Sequence, residues 1–277
     1  MKKKRITIGK IIAGILALIW FLVTGGPFYF MVASAFKEQF ELLTAGVFSM
    51  PKGLYIDNFK EVIESNFPHY LLNSIVVVSI SLVLILLTAS FASYPFSRFR
   101  FKLNTPLFAV VVAAMAVPIH VTLLPVFELT QKIGLYDSIF GLVGPYTAFN
   151  LPISVFILTS FMAEIPKELE ESAEIDGCGK FRTFFNVILP LSKPGLATLA
   201  IYNSVNMWNE FSFALVLTQS PESRTLPLSI WEYQGQYTAN IPLIMAVLTF
   251  CAIPMIAAFA IGQDKLIKGM MAGAVKG

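Results

Sequence analysis

The chain has 277 residues, of which 56 % are hydrophobic and 13 % charged, with a formal net charge of +3. A soluble chain carries about 25 % charged residues, so the composition argues against a water-solvated globule, and so small a net charge leaves no broad basic face for nucleic acid. Cys178 and Cys251 fall in different kinds of segment and His69 and His120 lie far apart, which gives neither a disulfide framework nor metal-ligand spacing.

The charges gather in short stretches and leave long segments almost free of them. The N-terminus, MKKKRITIGK, begins as a signal peptide does, but the apolar run after it is too long and no small-residue cleavage pattern follows. It reads as a retained first span. A hydrocarbon core of about 30 Å needs roughly 20 apolar residues of helix. Six segments meet this: 11–36, 71–96, 106–129, 139–162, 195–217 and 241–263. Pro27, Pro118, Pro125, Pro145, Pro152 and Pro254 lie in or beside them. Membrane helices tolerate proline where neighbours re-satisfy the freed carbonyls. The expectation is an all-α integral membrane protein of six kinked transmembrane helices, one transmembrane domain over residues 1–277.

Six spans place both termini on one side. That side holds Lys2, Lys3, Lys4, Arg5, Lys10, Arg98, Arg100, Lys102, Lys167, Lys180, Arg182, Lys193, Lys265, Lys268 and Lys276. The other side has only Lys37, Lys52, Lys60, Lys132 and Arg224. The positive-inside rule then puts both termini in the cytoplasm.

The longest cytoplasmic loop, 163–193, has an ordered pattern. Pro166 is placed to open a helix, and Glu168, Glu170 and Glu171 follow in its first turns, where carboxylates complement the positive helix end. Leu169 and Ala173 are four apart and share a face; Gly177 suits the C-cap. Phe181, Phe184, Phe185 and Ile188 then recur as one apolar stripe of a second helix, which ends at Leu189-Pro190. Such a greasy helix lies on the bilayer surface or docks another protein. Gly177-Cys178-Gly179-Lys180 hints at a phosphate loop, but Glu174 and Phe181 stand where glycine and Ser/Thr are required. No catalytic signature is present.

This loop resembles that of ABC importer permeases, whose pattern runs Glu-Ala-Ala, three residues, Gly, nine residues, an aliphatic residue, one more, then Leu-Pro. Here Glu171-Ser172-Ala173 is followed by Gly177, Val187, Leu189 and Pro190, with Ser172 in place of the middle alanine. Asp176-Gly177, the ending Leu189-Pro190-Leu191-Ser192-Lys193-Pro194 and the tail from Ala272 look like the carbohydrate-uptake branch, and Leu72-Asn73-Ser74, Tyr94-Pro95-Phe96-Ser97-Arg98, Val117-Pro118 and Trp208-Asn209-Glu210-Phe211 resemble the family more widely. Relatives more often carry alanine where Pro95 stands. The resemblance implies the type I ABC importer fold and a non-catalytic permease subunit similar to the smaller oligosaccharide permeases. It implies coupling to an ATPase through Glu171, Ser172, Ala173, Asp176, Gly177, Leu189 and Pro190. The implied partners are a second homologous permease, two ATP-binding subunits that hold ATP and Mg, and an extracytoplasmic sugar-binding protein. No cofactor belongs to the chain itself.

Glu210 is a charge inside span five, which costs about 2.5–3.5 kcal/mol at mid-bilayer. Asn203, Asn206 and nearly Glu210 share a face, with Asn209 adjacent and Trp208 to the side. Amide, carboxylate and aromatic groups together suit a polyhydroxyl substrate, so these five residues are candidates for a sugar path; a bond from Glu210 to a partner helix is the plainer alternative. The outer loop 218–240 carries Arg224, Trp231, Tyr233 and Tyr237, candidates for contact with the binding protein or for interfacial anchoring. An ion-driven transporter would place more ionisable groups in its spans, which apart from Glu210 and Glu128 are almost free of them.

Overall fold

The structure, a computed structural model, describes residues 8–46, 48–234 and 239–274, with side chains beyond residue 260 described only at Gln263. In chain order the helices are α1 (Ile8–Ala35), α2 (Gln39–Thr44), α3 (Asp57–Glu64), α4 (Phe67–Arg98), α5 (Asn104–Ala114), α6 (Leu123–Lys132), α7 (Phe140–Glu164), α8 (Glu168–Ile175), α9 (Lys180–Thr183), α10 (Leu189–Leu191), α11 (Lys193–Trp208), α12 (Ser212–Leu217) and α13 (Ile241–Ala274). Short 3-10 stretches cover Ile119–Thr122 and Leu226–Tyr233, and a π-helical turn covers Phe184–Ile188. Among the described residues no strand forms; a single bridge pairs Gln234 with Ala239.

Four helices are long and apolar enough to cross a membrane, and six spans result if two bent pairs count as one each. The pairs are Asn104–Ala114 with Ile119–Lys132, bent by 90°, and Lys180–Leu191 with Lys193–Trp208, bent by 68°. Proline accounts for the sharper of these bends and leaves other helices unbroken. Pro118 has extended geometry before the 3-10 turn and ends the first half of the third apolar segment. Pro27, Pro95, Pro145, Pro152 and Pro254 instead stay inside helices. The fifth apolar segment divides at 209–211, so α11 and α12 are separate helices.

The described residues form two compact units, those of Met1–Phe67 with Ile230–Ile253 and those of Pro68–Ser229 with Pro254–Gly277. In the first, α1 is exposed at every residue from Ile8 to Thr24. Its apolar side chains face outward all round, as befits a helix covered by lipid or by another subunit. Its last turn is held differently: the buried Asn58 amide donates to the carbonyls of Ala35 and Lys37, both at 2.9 Å, taking up groups the helix leaves open. Rings of Phe36, Phe59, Phe250 and Phe67 follow one another at centroid distances of 4.8, 5.2 and 5.6 Å.

The second unit packs α4, α7 and α11 around Ala89, Tyr94, Val155, Leu158, Met162, Phe184, Ile188 and Leu199. Lipid tails are as apolar as this core, so burial alone contributes little to helix association there. Close approach and polar contacts do more. Gly195 permits the first: a Cβ there would lie 2.9 Å from the Phe161 ring of α7. Ser93 supplies the second by donating to the Val155 carbonyl at 3.2 Å, which ties α4 to α7.

Candidate functional site

The loop 163–193 begins where α7 stops. Ile165 turns to extended geometry ahead of Pro166, which cannot continue the helix. The amides of Glu170 and Glu171 bond to the Lys167 carbonyl and open α8 at Glu168, two residues later than Pro166 suggested. Glu168, Glu170 and Glu171 fill its first turn. At the other end Gly177 adopts φ 81°, the left-handed region that suits glycine. Its amide bonds to the Glu174 carbonyl at 3.0 Å and that of Cys178 to the Ala173 carbonyl at 2.9 Å, which makes a Schellman stop.

Helix α8 divides its acids between two faces. Glu170 turns inward, and its carboxylate pairs with the Arg98 guanidinium at 2.8 Å; the two side chains are 13 % and 2 % exposed. Ala173 is buried on the same face, whereas Leu169, expected beside it, is 42 % exposed. The outward face carries Glu171, Ser172, Ile175 and Asp176, with Ile175 87 % exposed. The Ser172 hydroxyl bonds back to the Glu168 carbonyl at 2.8 Å. Lys180 of α9 pairs with Glu174 and lies 5.8 Å from the Phe99 ring centroid.

The expected stripe of Phe181, Phe184, Phe185 and Ile188 splits in two. Phe184 and Ile188 are buried, while Phe181 is 78 % and Phe185 48 % exposed. Phe184 and Ile188, at the two ends of the π-helical turn, face the core, and Phe181 and Phe185 face outward. Tyr94 meets the Phe184 ring at 5.1 Å, and a cavity of about 290 Å³ lies between Phe91, Tyr94, Phe99, Lys180, Phe181 and Phe184. Leu189 and Pro190 are half-buried where the chain bends into α11.

The five residues of the expected sugar path take different positions. Asn203 is buried, its amide donating to Ser154 Oγ of α7 at 2.9 Å. Trp208 is buried at the end of α11. Glu210 lies in the break between α11 and α12, and its carboxylate accepts the amides of Phe213 at 2.9 Å and Ala214 at 3.2 Å. A carboxylate at a helix start is favoured by the unpaired amides and the dipole, which is how the span accommodates this charge. Asn206 and Asn209 are exposed, on one face with the exposed Tyr202.

A second polar cluster forms at the opposite end of α7. The Asp137 carboxylate accepts the amides of Gln219 at 2.7 Å and Ser220 at 2.9 Å and the hydroxyls of Ser220 and Ser223. Burial works against its ionisation, but these hydrogen bonds prevail and hold the carboxyl at about 2. On α4, Asn73 donates to the carbonyls of Glu222 and Arg224 at 2.9 and 2.8 Å, and Ser74 Oγ accepts the Leu226 amide at 2.8 Å. Of the expected binding-protein contacts, Arg224 belongs to this unit and is half-buried. Trp231, 39 % exposed, and half-buried Tyr233 belong to the other unit. Tyr237 lies outside the described residues.

Arg98, Glu170 as distinct from Glu171, Asp137, Asn73 and Ser74 are the positions whose partners no local pattern announced. Arg98 is legible in the sequence as a basic residue and a motif member, but the group it bonds in Ile165 is 67 residues away.

Residues 85–271 match the family model described as binding-protein-dependent transport system inner membrane component. The putative ABC transporter permease protein ORF2 of Caldicellulosiruptor sp. is 56 % identical over 259 residues, 94 % of each chain. The diacetylchitobiose uptake system permease protein DasC of Streptomyces coelicolor is 32 % identical over 275 residues, covering 99 % of this chain and 100 % of its own. A chain from the crystal structure of a bacterial ABC transporter involved in the import of the acidic polysaccharide alginate superposes with a TM-score of 0.81, over 95 % of this chain and 99 % of that one. At 19 % identity that likeness is one of fold.

Proposed function

Because the chain belongs to the family of binding-protein-dependent transport system inner membrane components, we propose that it is one of two homologous permeases that import an oligosaccharide by alternating access, driven by separate ATPases. Membership makes it a non-catalytic permease component of an ABC importer, with the type I importer fold. In the proposed assembly two ATP-binding subunits hold ATP and Mg and grip the two permeases through their cytoplasmic loops. A second permease borders this one, and an extracytoplasmic sugar-binding protein delivers the substrate. Both termini are cytoplasmic.

The observation that carries this reading is α8. Its inward face is fixed to its own chain by Glu170 and Ala173, and its outward face offers Glu171, Ser172, Ile175 and Asp176 to another protein. Leu189 and Pro190 mark the bend by which the loop joins α11. The substrate class is supported by the name of the DasC relative and by the exposed Tyr202 and Asn206 of α11 with Asn209 just past its end. Ring and amide together suit sugar hydroxyls and the apolar faces of the rings. Arg224, Trp231 and Tyr233 are proposed to meet the binding protein.

The test is uptake by the purified four-subunit core with its binding protein over a panel of labelled oligosaccharides. A Ser172→Cys variant is cross-linked in the same preparation. Import of a panel sugar and an adduct to the ATP-binding subunit are expected. Absence of the adduct, with uptake intact, removes α8 as the docking helix.

A further inference from the structure

Three chain segments meet on one guanidinium. Arg98 is the last residue of α4. Its Nε lies 2.8 Å from Glu170 Oε1 in the first turn of α8. Its Nη2 donates to the Ile165 carbonyl at 2.8 Å, just past the end of α7. Pro166 follows Ile165, so α7 cannot continue and no further helical turn takes up that carbonyl. The side chains of Arg98 and Glu170 are 2 % and 13 % exposed, so the junction is withdrawn from water.

The shape of the group matters as much as its charge. A guanidinium can aim one N–H at the Ile165 carbonyl while its charge faces the Glu170 carboxylate, whereas a lysine ammonium is a point charge on a flexible stem. Withdrawn from water, such a pair is sensitive to the loss of either partner. The adjacent acids of α8 then have separate duties. Glu171 is exposed on the outward face, and Glu170 is consumed by the anchor. The remaining ties of α8 run to α9 and the π-helical turn, where Glu174 pairs with Lys180 at the surface and Ala173 is buried.

We propose that Arg98 and Glu170 are the positioning residues that make α8 move as one body with the ends of α4 and α7, so that displacement of the docked helix is delivered to those two spanning helices. This rests on the reading of α8 as the ATPase-docking helix. Neither residue touches the substrate path; both act through the placement of α8.

The test uses the full transporter in nanodiscs, with Cys178 and Cys251 replaced by serine and spin labels at Ser172→Cys on α8 and Leu87→Cys on α4. With Arg98 and Glu170 intact, the interlabel distance is expected to be narrow and to change by less than about 2 Å, the scale of a small helix shift, between nucleotide-free and ATP–vanadate states. R98Q should broaden the distribution and make it nucleotide-dependent while basal ATPase activity persists. R98K, with charge but no fork, should fall between. The exchange R98E with E170R should narrow it again. A narrow distribution in R98Q overturns the proposal, as does an exchange variant as broad as R98Q. If R98Q does not assemble, the exchange variant decides alone: narrow supports the anchor and broad removes it. Cross-linking of Ser172→Cys to the ATPase is scored in the same samples. Its loss counts against the docking reading, whereas uncoupled distances in the protein with both residues intact, with cross-linking preserved, count against the anchor.

Discussion

Glu210 and Asp137 serve the same purpose at two interruptions of the chain: each carboxylate accepts backbone amides that no helix takes up. Glu210→Ala leaves two amides at the start of α12 open, at a cost of about 1 kcal/mol, and is expected to lower sugar uptake while the complex still assembles. Glu210→Gln keeps an acceptor oxygen but no charge. Most of the uptake should survive in it if the cap is what matters, and uptake as low as in the alanine variant would give the charge a place in the path. At Asp137 the carboxyl is held at about 2, below its ordinary value. A depressed value in the folded state stabilises the fold fully above the unfolded value of about 3.9 and loses this as pH falls toward 2. The cluster should therefore be insensitive to pH between 5 and 8. Asp137→Asn should loosen residues 218–229 throughout that range, seen as faster cleavage there by added protease; equal cleavage rates would contradict it. The sequence displayed these residue types but not their partners, since a carboxylate in a span reads alike whether it meets substrate or backbone.

At the scale of elements, apolar runs and turn residues were legible and winding was not. The acidic start of α8, its glycine stop and the bend at Leu189-Pro190 follow from short-range rules that need no tertiary contact. Gly177 makes a sharp case. A Cβ there would meet nothing within 4 Å, so any penalty comes from φ and not from crowding. Gly177→Ala is expected to cost about 1–2 kcal/mol and Gly177→Asn less, because asparagine visits this region more readily. Thermal midpoints of the purified complex should rank glycine, asparagine, alanine; equal values for all three would show that the turn carries no strain. The π-helical turn escaped the periodicity because one extra residue per turn needs no special residue type. The break at 115–118 falls at Pro118 and that at 209–211 at Asn209-Glu210, residues visible in the sequence that by themselves do not separate a kink from a break. Past the end of α11, the Glu210 carboxylate takes the amides of Phe213 and Ala214, which a continuous span would return to backbone carbonyls.

For the whole molecule, the bias of Lys and Arg predicts which loops face the cytoplasm. In right-side-out cells with Cys178 and Cys251 replaced, Gln219→Cys should react with a membrane-impermeant maleimide, and Ser172→Cys only after permeabilisation. The reverse order would invert the assigned topology. By itself the sequence determined a helical membrane chain, the number of apolar segments and, through dispersed motifs, the family, because hydropathy and charge are properties of neighbours along the chain. Only the tertiary structure decided that Glu170 faces inward and Glu171 outward, that Arg98 joins α4, α7 and α8, and that the charge in the fifth segment caps a helix. Each of those depends on which backbone group comes within about 3 Å of a side chain, and that is settled by how helices distant in sequence cross and where they stop.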